Sequence, residues 1–423
     1  MQSAAHILEK YSKITPDMSW SFSNVADRRE SKHLTHSYHR YPAKFIPQIV
    51  ETLLNKYSKE TSVVCDPFGG CGTTLIVAKL SGHSSIGFDI NPVAKLIAEA
   101  KLCPIDPSKL EAEVLKLQAR ISKLKFKPFK THPRLRYWFK TKDLNQLSKI
   151  HRSISYTRDL EIKRFFLCCF SHILKNTSIW LMSSIKPTRD FNKTIPNALE
   201  IFSTHLASMV KRNKEYYYHL KEEGVLETPA KMRIGDARKL PLHKNSVDHI
   251  ITSPPYVTSY EYADLHQLTL LWFKFTKDLP AFRKKFIGTT MSVESDLPTQ
   301  GEIGKAIVES LKTVHEPTSR RVNKYFTDMG SAIAEMYRVT KPGGHVSIIV
   351  GNTNLKGVEI RNAEVAHEQM LLAGFKAIQV VKREIAFQII APWRDKISGR
   401  FTNKEDENRK QVYQYEYIIT MQK

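Results

Sequence analysis

The stretch from Ser62 to Asp89 constrains this chain more than any other. Ser62–Asp66 is a short apolar run ending in an acid. A glycine-rich turn follows, and Thr73–Leu80 has helical character. Ser84–Asp89 is a second run ending in an acid, and Pro92–Lys101 reads as the next helix. This β-α-β-α order predicts the opening of a doubly wound, parallel α/β sheet.

The turn itself reads Asp66-Pro67-Phe68-Gly69-Gly70-Cys71-Gly72-Thr73-Thr74. Glycines there let backbone approach a ligand at a helix N-terminus. The segment lacks the lysine of a P-loop and the GxGxxG spacing of a dinucleotide fingerprint. Asp89 closes the second strand, where an acid can accept from ribose hydroxyls. Together these features point to a nucleoside-type cofactor without a pyrophosphate. Taken alone, the same residues also fit a structural turn with a surface acid.

From Ile105 to Glu227 the pattern becomes helical, basic and aromatic, with no good strand signal. Nine Lys and Arg and one acid lie between Arg120 and Asp143, interleaved with Phe126, Phe129, Tyr137, Trp138 and Phe139. This predicts an inserted helical subdomain, with Arg164–Met182 as its buried core helix. Strand character returns at Met232–Ile234 and Val247–Thr252. A long amphipathic helix is expected over Tyr260–Thr276, and Phe286–Val322 reads as a polar surface excursion. Then come a helix at Lys324–Arg338, a turn at Lys341–Gly344 and a strand at His345–Val350. A helix at Asn362–Ala373 precedes closing strands at Phe375–Glu384 and Val412–Met421, with Lys404–Lys410 as a solvated loop. The expected units are therefore 1–104, 105–230 and 231–423.

Charge indicates the partner. Sixty-five Lys and Arg against 42 Asp and Glu give a net charge of +23 in 423 residues. Such an excess favours a polyanion through counterion release, nucleic acid first and an anionic membrane surface second. A generically basic protein is the plain alternative. No run of 18 apolar residues occurs, so no membrane span is expected. The N-terminus has no apolar core of signal-peptide length. Cysteines at 65, 71, 103, 168 and 169 are few and odd in number, which suits a reducing, cytoplasmic setting. With no CxxC pair, a zinc ribbon or finger is excluded on spacing. His33, His36 and His39 recur every three residues, but no fourth ligand is evident and no metal is expected. Cys168-Cys169 and Trp272 read as core.

Ser253-Pro254-Pro255-Tyr256 follows directly on an apolar strand. Two prolines cannot continue a ladder, so the chain must leave the sheet there. The rigid turn fixes where Ser253 Oγ and nearby carbonyls point, and such an acceptor pair can grip an exocyclic amine. Tyr256 can stack on a base. A polar turn after an edge strand would also fit these residues.

Taken together, the two segments resemble the S-adenosylmethionine-dependent DNA amino-methyltransferase family. Asp66–Thr74 is similar to that family's cofactor loop, and His39–Phe45 (HRYPAKF) to its N-terminal cofactor motif. Gly87–Pro92 resembles the acidic-strand motif, Gly235–Pro241 the segment that places an acid near the adenine, and Thr252–Tyr256 (TSPPY) the catalytic motif. Lys341–Gly344 and the next strand resemble a later core motif. The resemblance covers roughly Tyr38–Pro104 and Lys231–Glu384.

It implies an α/β, Rossmann-like methyltransferase with a mixed, mostly parallel seven-stranded sheet plus an inserted, mainly helical subdomain. It implies S-adenosyl-L-methionine as cofactor. The implied cofactor-binding residues are Tyr41, Pro42, Ala43, Lys44, Phe45, Asp66, Pro67, Phe68, Gly70, Gly72, Thr73, Asp89, Ile90, Asn91, Asp236 and Ala237. The implied catalytic residues are Ser253, Pro254, Pro255 and Tyr256. Serine at the first catalytic position usually accompanies cytosine-N4 methylation in this family, whereas Asp or Asn is more usual for adenine-N6. C5 chemistry uses a Pro-Cys nucleophile, and the chain has no Pro-Cys. The implied partner is double-stranded DNA, with a cognate restriction endonuclease acting independently. The oligomeric state and target sequence stay open. The alternatives are adenine-N6 methylation, an RNA enzyme of the tRNA guanine-N2 type, and a binding protein on a decayed fold. Candidate DNA-reading segments are Ile105–Glu227 and Phe286–Val322.

Overall fold

The computed structural model describes residues 2–22, 34–42, 46–126, 131–184, 186–257, 261–291, 297–385, 393–395, 402, 405–411 and 414–423. Seven strands form one sheet: β1 (Val63–Asp66), β2 (Ser84–Asp89), β3 (Ala230–Ile234), β4 (Val247–Thr252), β5 (Thr340–Val350), β6 (Lys376–Glu384) and β7 (Tyr415–Gln422). Their order is β3-β2-β1-β4-β5-β7-β6. The first five run parallel, and β7 inserts antiparallel between β5 and β6. The strand order therefore reverses between β1 and β4, and a ligand crevice is expected outside the carboxyl ends of those two strands.

Period-two alternation sorts the side chains onto two covered faces. Val64, Ile251, Ile349 and Ile418 pack with α2 (Pro47–Tyr57) and α3 (Thr73–Leu80). Their neighbours Cys65, Ile250, Ile348 and Ile419 pack the other way. They meet α1 (Ala4–Lys13), α13 (Glu302–Val339) and α14 (Asn362–Ala373). Cys65 pairs in register with Ile86 on one side and Ile250 on the other.

After β2 comes α4 (Pro92–Leu102). The chain then forms α5 (Pro107–Lys123), α6 (Pro133–Arg136), α7 (Thr141–Ser155), α8 (Leu160–Leu174) and α9 (Ala198–Glu222) before β3. Buried Asn213 on α9 clamps the start of this insert, accepting from Ile105 N–H at 3.1 Å and donating to its carbonyl at 2.7 Å. One apolar cluster joins Phe165, Cys168, Cys169 and Phe170 of α8 to Val93 and Ile97 of α4. It continues to Leu271 and Trp272 of α11 (Gln267–Trp272). The insert is thus rooted on the helices that frame the crevice.

Several sequence expectations are corrected. The core helix of the insert is Leu160–Leu174, not Arg164–Met182. Beyond it, Thr177 Oγ1 turns back to the Ile173 carbonyl at 3.0 Å. The long helix over Tyr260–Thr276 is instead α10 (Tyr262–Leu265) and α11, broken at His266. The His266 ring meets the Asn91 side chain at 2.8 Å, a partner 175 residues away that local sequence cannot reveal. A further short helix, α12 (Leu279–Arg283), follows.

The surface excursion at Phe286–Val322 is largely helical. From Glu302 it forms the first part of α13, with Ile303, Ile307 and Leu311 buried at four-residue spacing. Glu368 caps that helix, accepting from Glu302 N–H at 2.8 Å and Ile303 N–H at 3.0 Å. The helix kinks at His315, whose ring accepts from Thr318 N–H at 3.2 Å and so caps the second segment around Pro317. Lys341–Gly344 lies within β5 as an irregularity in its pairing with β4. In the expected solvated loop, Arg409–Gln411 pairs with Trp393–Asp395. His33, Phe129, Tyr260 and Lys404 lie outside the described residues.

Candidate active site

Asp66 ends β1, Asp89 ends β2 and Thr252 ends β4, so the sheet delivers all three to one edge. Asp66 and Asp89 line a cleft that is open to solvent, and buried Thr252 is hydrogen-bonded to Asp66 at its wall. Of the residues expected at the cofactor, Tyr41, Asp66, Pro67, Phe68, Gly70, Thr73, Asp89, Ile90, Asp236 and Ala237 line this cleft. Of the catalytic motif, Ser253 and Pro255 do so.

The glycine turn is laced to β2. Gly69 N–H donates to the Phe88 carbonyl at 2.8 Å, and Gly70 N–H donates to Asp89 Oδ2 at 3.0 Å. Asn91 N–H donates to Asp89 Oδ1 at 2.8 Å. Gly70 holds φ at +49°, and a Cβ there would stand 3.3 Å from the Tyr41 ring. Gly72, at φ +83°, opens α3; its Cβ would lie 3.0 Å from the Ala98 Cβ, so its place is against α4 rather than in the lining. Asn91 caps α4 by accepting from Val93 N–H at 3.0 Å.

Asp66 is buried and accepts from the Thr252 hydroxyl at 2.6 Å and from Phe68 N–H at 3.1 Å. Burial pushes its carboxyl up to about 6, with these donors opposing the rise. Burial pushes Asp89 up to about 6 as well. The Asn91 and Gly70 N–H groups oppose that shift and the Asp66 charge adds to it.

Asp236 lines the cleft, but Arg238 claims both its carboxylate oxygens, from Nε at 3.0 and 3.1 Å and from Nη2 at 2.6 Å. Burial would raise this acid; the Arg238 bonds outweigh it and leave it below the ordinary carboxylate value. Arg238 also reaches Asp328 at 3.2 Å and the Lys285 carbonyl at 3.1 Å.

Pro42, Gly72, Asn91, Pro254 and Tyr256 are not among the lining residues. Pro254 is buried behind Ser253. The Tyr256 ring rests against Gly351, where a Cβ would lie 3.3 Å from it, and its hydroxyl meets Glu416 at 3.4 Å. Ala43, Lys44 and Phe45 lie outside the described residues.

Gly69, Cys71 and Gly235, which fall inside the cofactor motifs, also line the cleft; Tyr262, Lys285, Phe286 and Ile287 line it without having been expected at the cofactor. Tyr262 stacks with Tyr41 at 6.2 Å between ring centroids. Glu261 fixes the loop after Ile287, accepting from Thr290 N–H at 2.7 Å and from the Thr289 hydroxyl at 3.0 Å. Gly288 brings this loop against the catalytic motif; a Cβ on it would stand 3.0 Å from the Tyr256 carbonyl oxygen. The apolar pair Phe286-Ile287 inside a polar run was the available signal. Among the described residues no His, Cys, Asp and Glu cluster could hold a metal, and no helix is long and apolar enough to cross a membrane.

A family profile described as DNA methylase, of the N6/N4 type, matches residues 2–100 and 247–423. The chain is 26% identical over 395 residues to the type II methyltransferase M.MvaI of Kocuria varians, covering 84% of each chain. It is 24% identical over 410 residues to the type II methyltransferase M.BsoBI of Geobacillus stearothermophilus, covering 82% of this chain and 79% of that one. A shorter match, 40% identical over 99 residues, joins 23% of this chain to 18% of the type II methyltransferase M.MjaII of Methanocaldococcus jannaschii. The profile covers every strand of the sheet except β3 and passes over residues 101–246, which hold the helical insert, β3 and the lining residues Gly235, Asp236 and Ala237. On that match the chain belongs to the N6/N4 family of DNA methylases, enzymes that methylate DNA from S-adenosylmethionine.

Proposed function

We propose that this protein methylates the exocyclic N4 amine of cytosine in duplex DNA, after flipping the base, as the modification half of a restriction-modification pair. The observation that carries the reading is Ser253, at the mouth of β4, lining the same cleft as Asp66 and Asp89. A cognate endonuclease would act independently on the same site.

The lining suits the cofactor: the Gly70 cradle is one a Cβ would fill, and Asp89 closes β2 within it. Asp66 and Gly70 would hold the amino-acid part, with Gly72 shaping the turn. Asp89 would accept from the ribose hydroxyls, and Asp236, steadied by Arg238, would border the adenine. When bound, S-adenosylmethionine supplies an electrophilic methyl on a sulfonium sulfur.

The cytosine amine is a poor nucleophile, because its lone pair is delocalised into the ring. Ser253 Oγ and the Pro254 carbonyl would accept its two hydrogens and draw the nitrogen toward tetrahedral geometry. The freed lone pair then forms the N–C bond in line as the S–C bond breaks, and the surplus amine proton leaves to solvent. No covalent enzyme adduct is needed; positioning and electrostatics supply the acceleration. Flipping costs a few kcal/mol, offset by stacking. Phe286 and Tyr262 offer aromatic faces in the lining, and Tyr256 offers one beside it.

The test is to incubate the protein with S-adenosylmethionine and unmethylated DNA, with tRNA in parallel, and to analyse the nucleosides by mass spectrometry. N4-methylcytosine in DNA is the expected product. N6-methyladenine would keep the cleft and overturn the inference from Ser253. Modification confined to tRNA would overturn the DNA substrate.

A further inference from the structure

We propose that the exposed stack of Tyr137, Arg189 and Phe191 on the helical insert is the surface that grips duplex DNA beside the catalytic cleft. The inference rests on the DNA methylase reading and adds the place where the substrate is held.

The insert concentrates positive charge. Between residues 116 and 193 lie 19 of the chain's 65 Lys and Arg but four of its 42 Asp and Glu. Two of those acids are withdrawn from the surface charge: Asp143 is buried in α7, and Asp159 caps α8 and pairs with Lys109 at 2.6 Å.

Past α8 the chain folds back as a short ribbon. Trp180 bridges to Arg189, Leu181 N–H donates to the Thr188 carbonyl at 2.9 Å, and Asp190 N–H donates to the Ile179 carbonyl at 2.7 Å. The base of the ribbon is tied down by hydrogen bonds. Lys193 Nζ donates to the carbonyls of Lys175, Ser178 and Trp180 at 2.9, 2.7 and 2.9 Å. Beneath it, Trp138 and Trp180 stack at 4.9 Å.

On this floor the Arg189 guanidinium lies between two rings, 3.7 Å from the centroid of Tyr137 and 4.7 Å from that of Phe191. The rings are themselves open to solvent, Tyr137 at 49% and Phe191 at 69% exposure. Exposed Arg136, Lys140 and Lys186 flank them. A stacked guanidinium is pre-organised, so its planar fork meets a phosphate or base edge with little further loss of freedom. Open aromatic faces interleaved with cations match duplex DNA: the cations meet phosphates, and the rings offer apolar surface to the sugars and a wedge at a base step. A merely acidic partner would use the charges alone.

The surface is tied to the site. Arg134 Nε and Trp138 Nε1 both donate to Gln267 Oε1, at 2.7 and 3.3 Å. Gln267 opens α11, directly after the short helix that begins with Tyr262 of the cleft wall. Duplex held on the ribbon is therefore held against the element that leads into the cleft.

The experiment uses the full chain and a labelled duplex oligonucleotide, read by fluorescence anisotropy across a salt series. Cofactor affinity is measured separately by calorimetry. Phe191→Ala and Arg189→Ala are each expected to weaken duplex binding about tenfold, with unchanged S-adenosylmethionine affinity and Tm. Arg189→Ala should also lower the slope of log K against log salt by about one, whereas Arg189→Lys should restore the slope but not the full affinity. Duplex affinity within about twofold of wild type in both alanine variants overturns the proposal. So does displacement of duplex by poly-glutamate as readily as by unlabelled DNA. A wild-type protein that binds the cofactor but no duplex overturns the DNA reading beneath it.

Discussion

The Thr252 hydroxyl donates to Asp66 Oδ1 at 2.6 Å, joining the last residue of β4 to the last residue of β1 across the point where the strand order reverses. Both residues are buried. The bond ties the strand that delivers Ser253 to the strand that delivers the glycine turn, so the two halves of the cleft share one polar anchor. Thr252→Val keeps the shape and removes the donor. Loss of a hydrogen bond to a buried carboxylate costs about 1.5–3 kcal/mol. Cofactor Kd should rise about tenfold or more, with kcat at saturating cofactor changed less. Calorimetric titration with S-adenosylmethionine and steady-state kinetics separate the two effects. An unaltered Kd would show that Asp66 needs no help from β4.

The carboxyl groups of Asp66 and Asp89, each pushed up to about 6 by burial, should make cofactor binding pH-dependent. An ionised Asp89 accepts from two hydroxyls, whereas a protonated one accepts less well. Cofactor Kd is therefore expected to rise as pH falls below about 6. Asp89→Asn should bind weakly at every pH and lose most of that dependence. Stability of the free protein runs in the opposite sense. These acids bind protons more tightly folded than unfolded, so their contribution is full below the ordinary value of 3.8 and is lost as pH rises through about 6. Comparing the Tm–pH curves of wild type and Asp89→Asn isolates that contribution.

Two glycines in left-handed conformation separate strain from function. Gly70 and Gly357 sit at φ +49° and +86°. A Cβ on Gly357 meets nothing within 4 Å, whereas one on Gly70 meets the Tyr41 ring at 3.3 Å. Alanine at either position should cost about 1–2 kcal/mol in backbone strain. Gly70→Ala alone should also weaken S-adenosylmethionine binding, because it moves Tyr41 at the cleft wall. Equal cofactor affinities in the two variants would remove Gly70 from the site.

The β1–turn–α3–β2 unit is legible in sequence because its signals are local: two apolar runs, each ended by an acid, with glycines between. The helix at Glu302–Val314 was obscured by its composition. Gly301, Gly304 and Pro317 read as breakers, although Ile303, Ile307 and Leu311 keep a helical stripe and Pro317 falls just after the kink. The break at His266 depends on Asn91, and the state of Asp236 depends on Arg238 folding back onto it. Contacts chosen by the tertiary fold leave no periodicity to read. Tyr256 is a similar case: its place in the motif is visible, but its turn toward Gly351 and Glu416 is not.

That turn sets the last expectation. Glu416 faces Arg383 across β6 and β7, in register, and the two form a buried ion pair. Arg383 Nε also donates to the Trp20 carbonyl at 2.7 Å, so the pair joins the N-terminal segment to the sheet. Glu416 Oε2 accepts from the Tyr256 hydroxyl at 3.4 Å, a long contact beside a strong one. Arg383→Met leaves a buried carboxylate without its cation and should cost about 3–5 kcal/mol. The double variant Arg383→Met, Glu416→Leu should recover much of that loss in a thermal-melt cycle, since no charge is then left unpaired. Tyr256→Phe keeps the ring against Gly351 and forfeits the weak bond to Glu416, so its Tm should fall little and its kcat should stay near wild type. Ser253→Ala, by contrast, should lower kcat about a hundredfold with cofactor affinity intact. If Tyr256→Phe is as slow as Ser253→Ala while equally stable, the phenol acts on the substrate and the Glu416 contact is a resting position it leaves during the reaction.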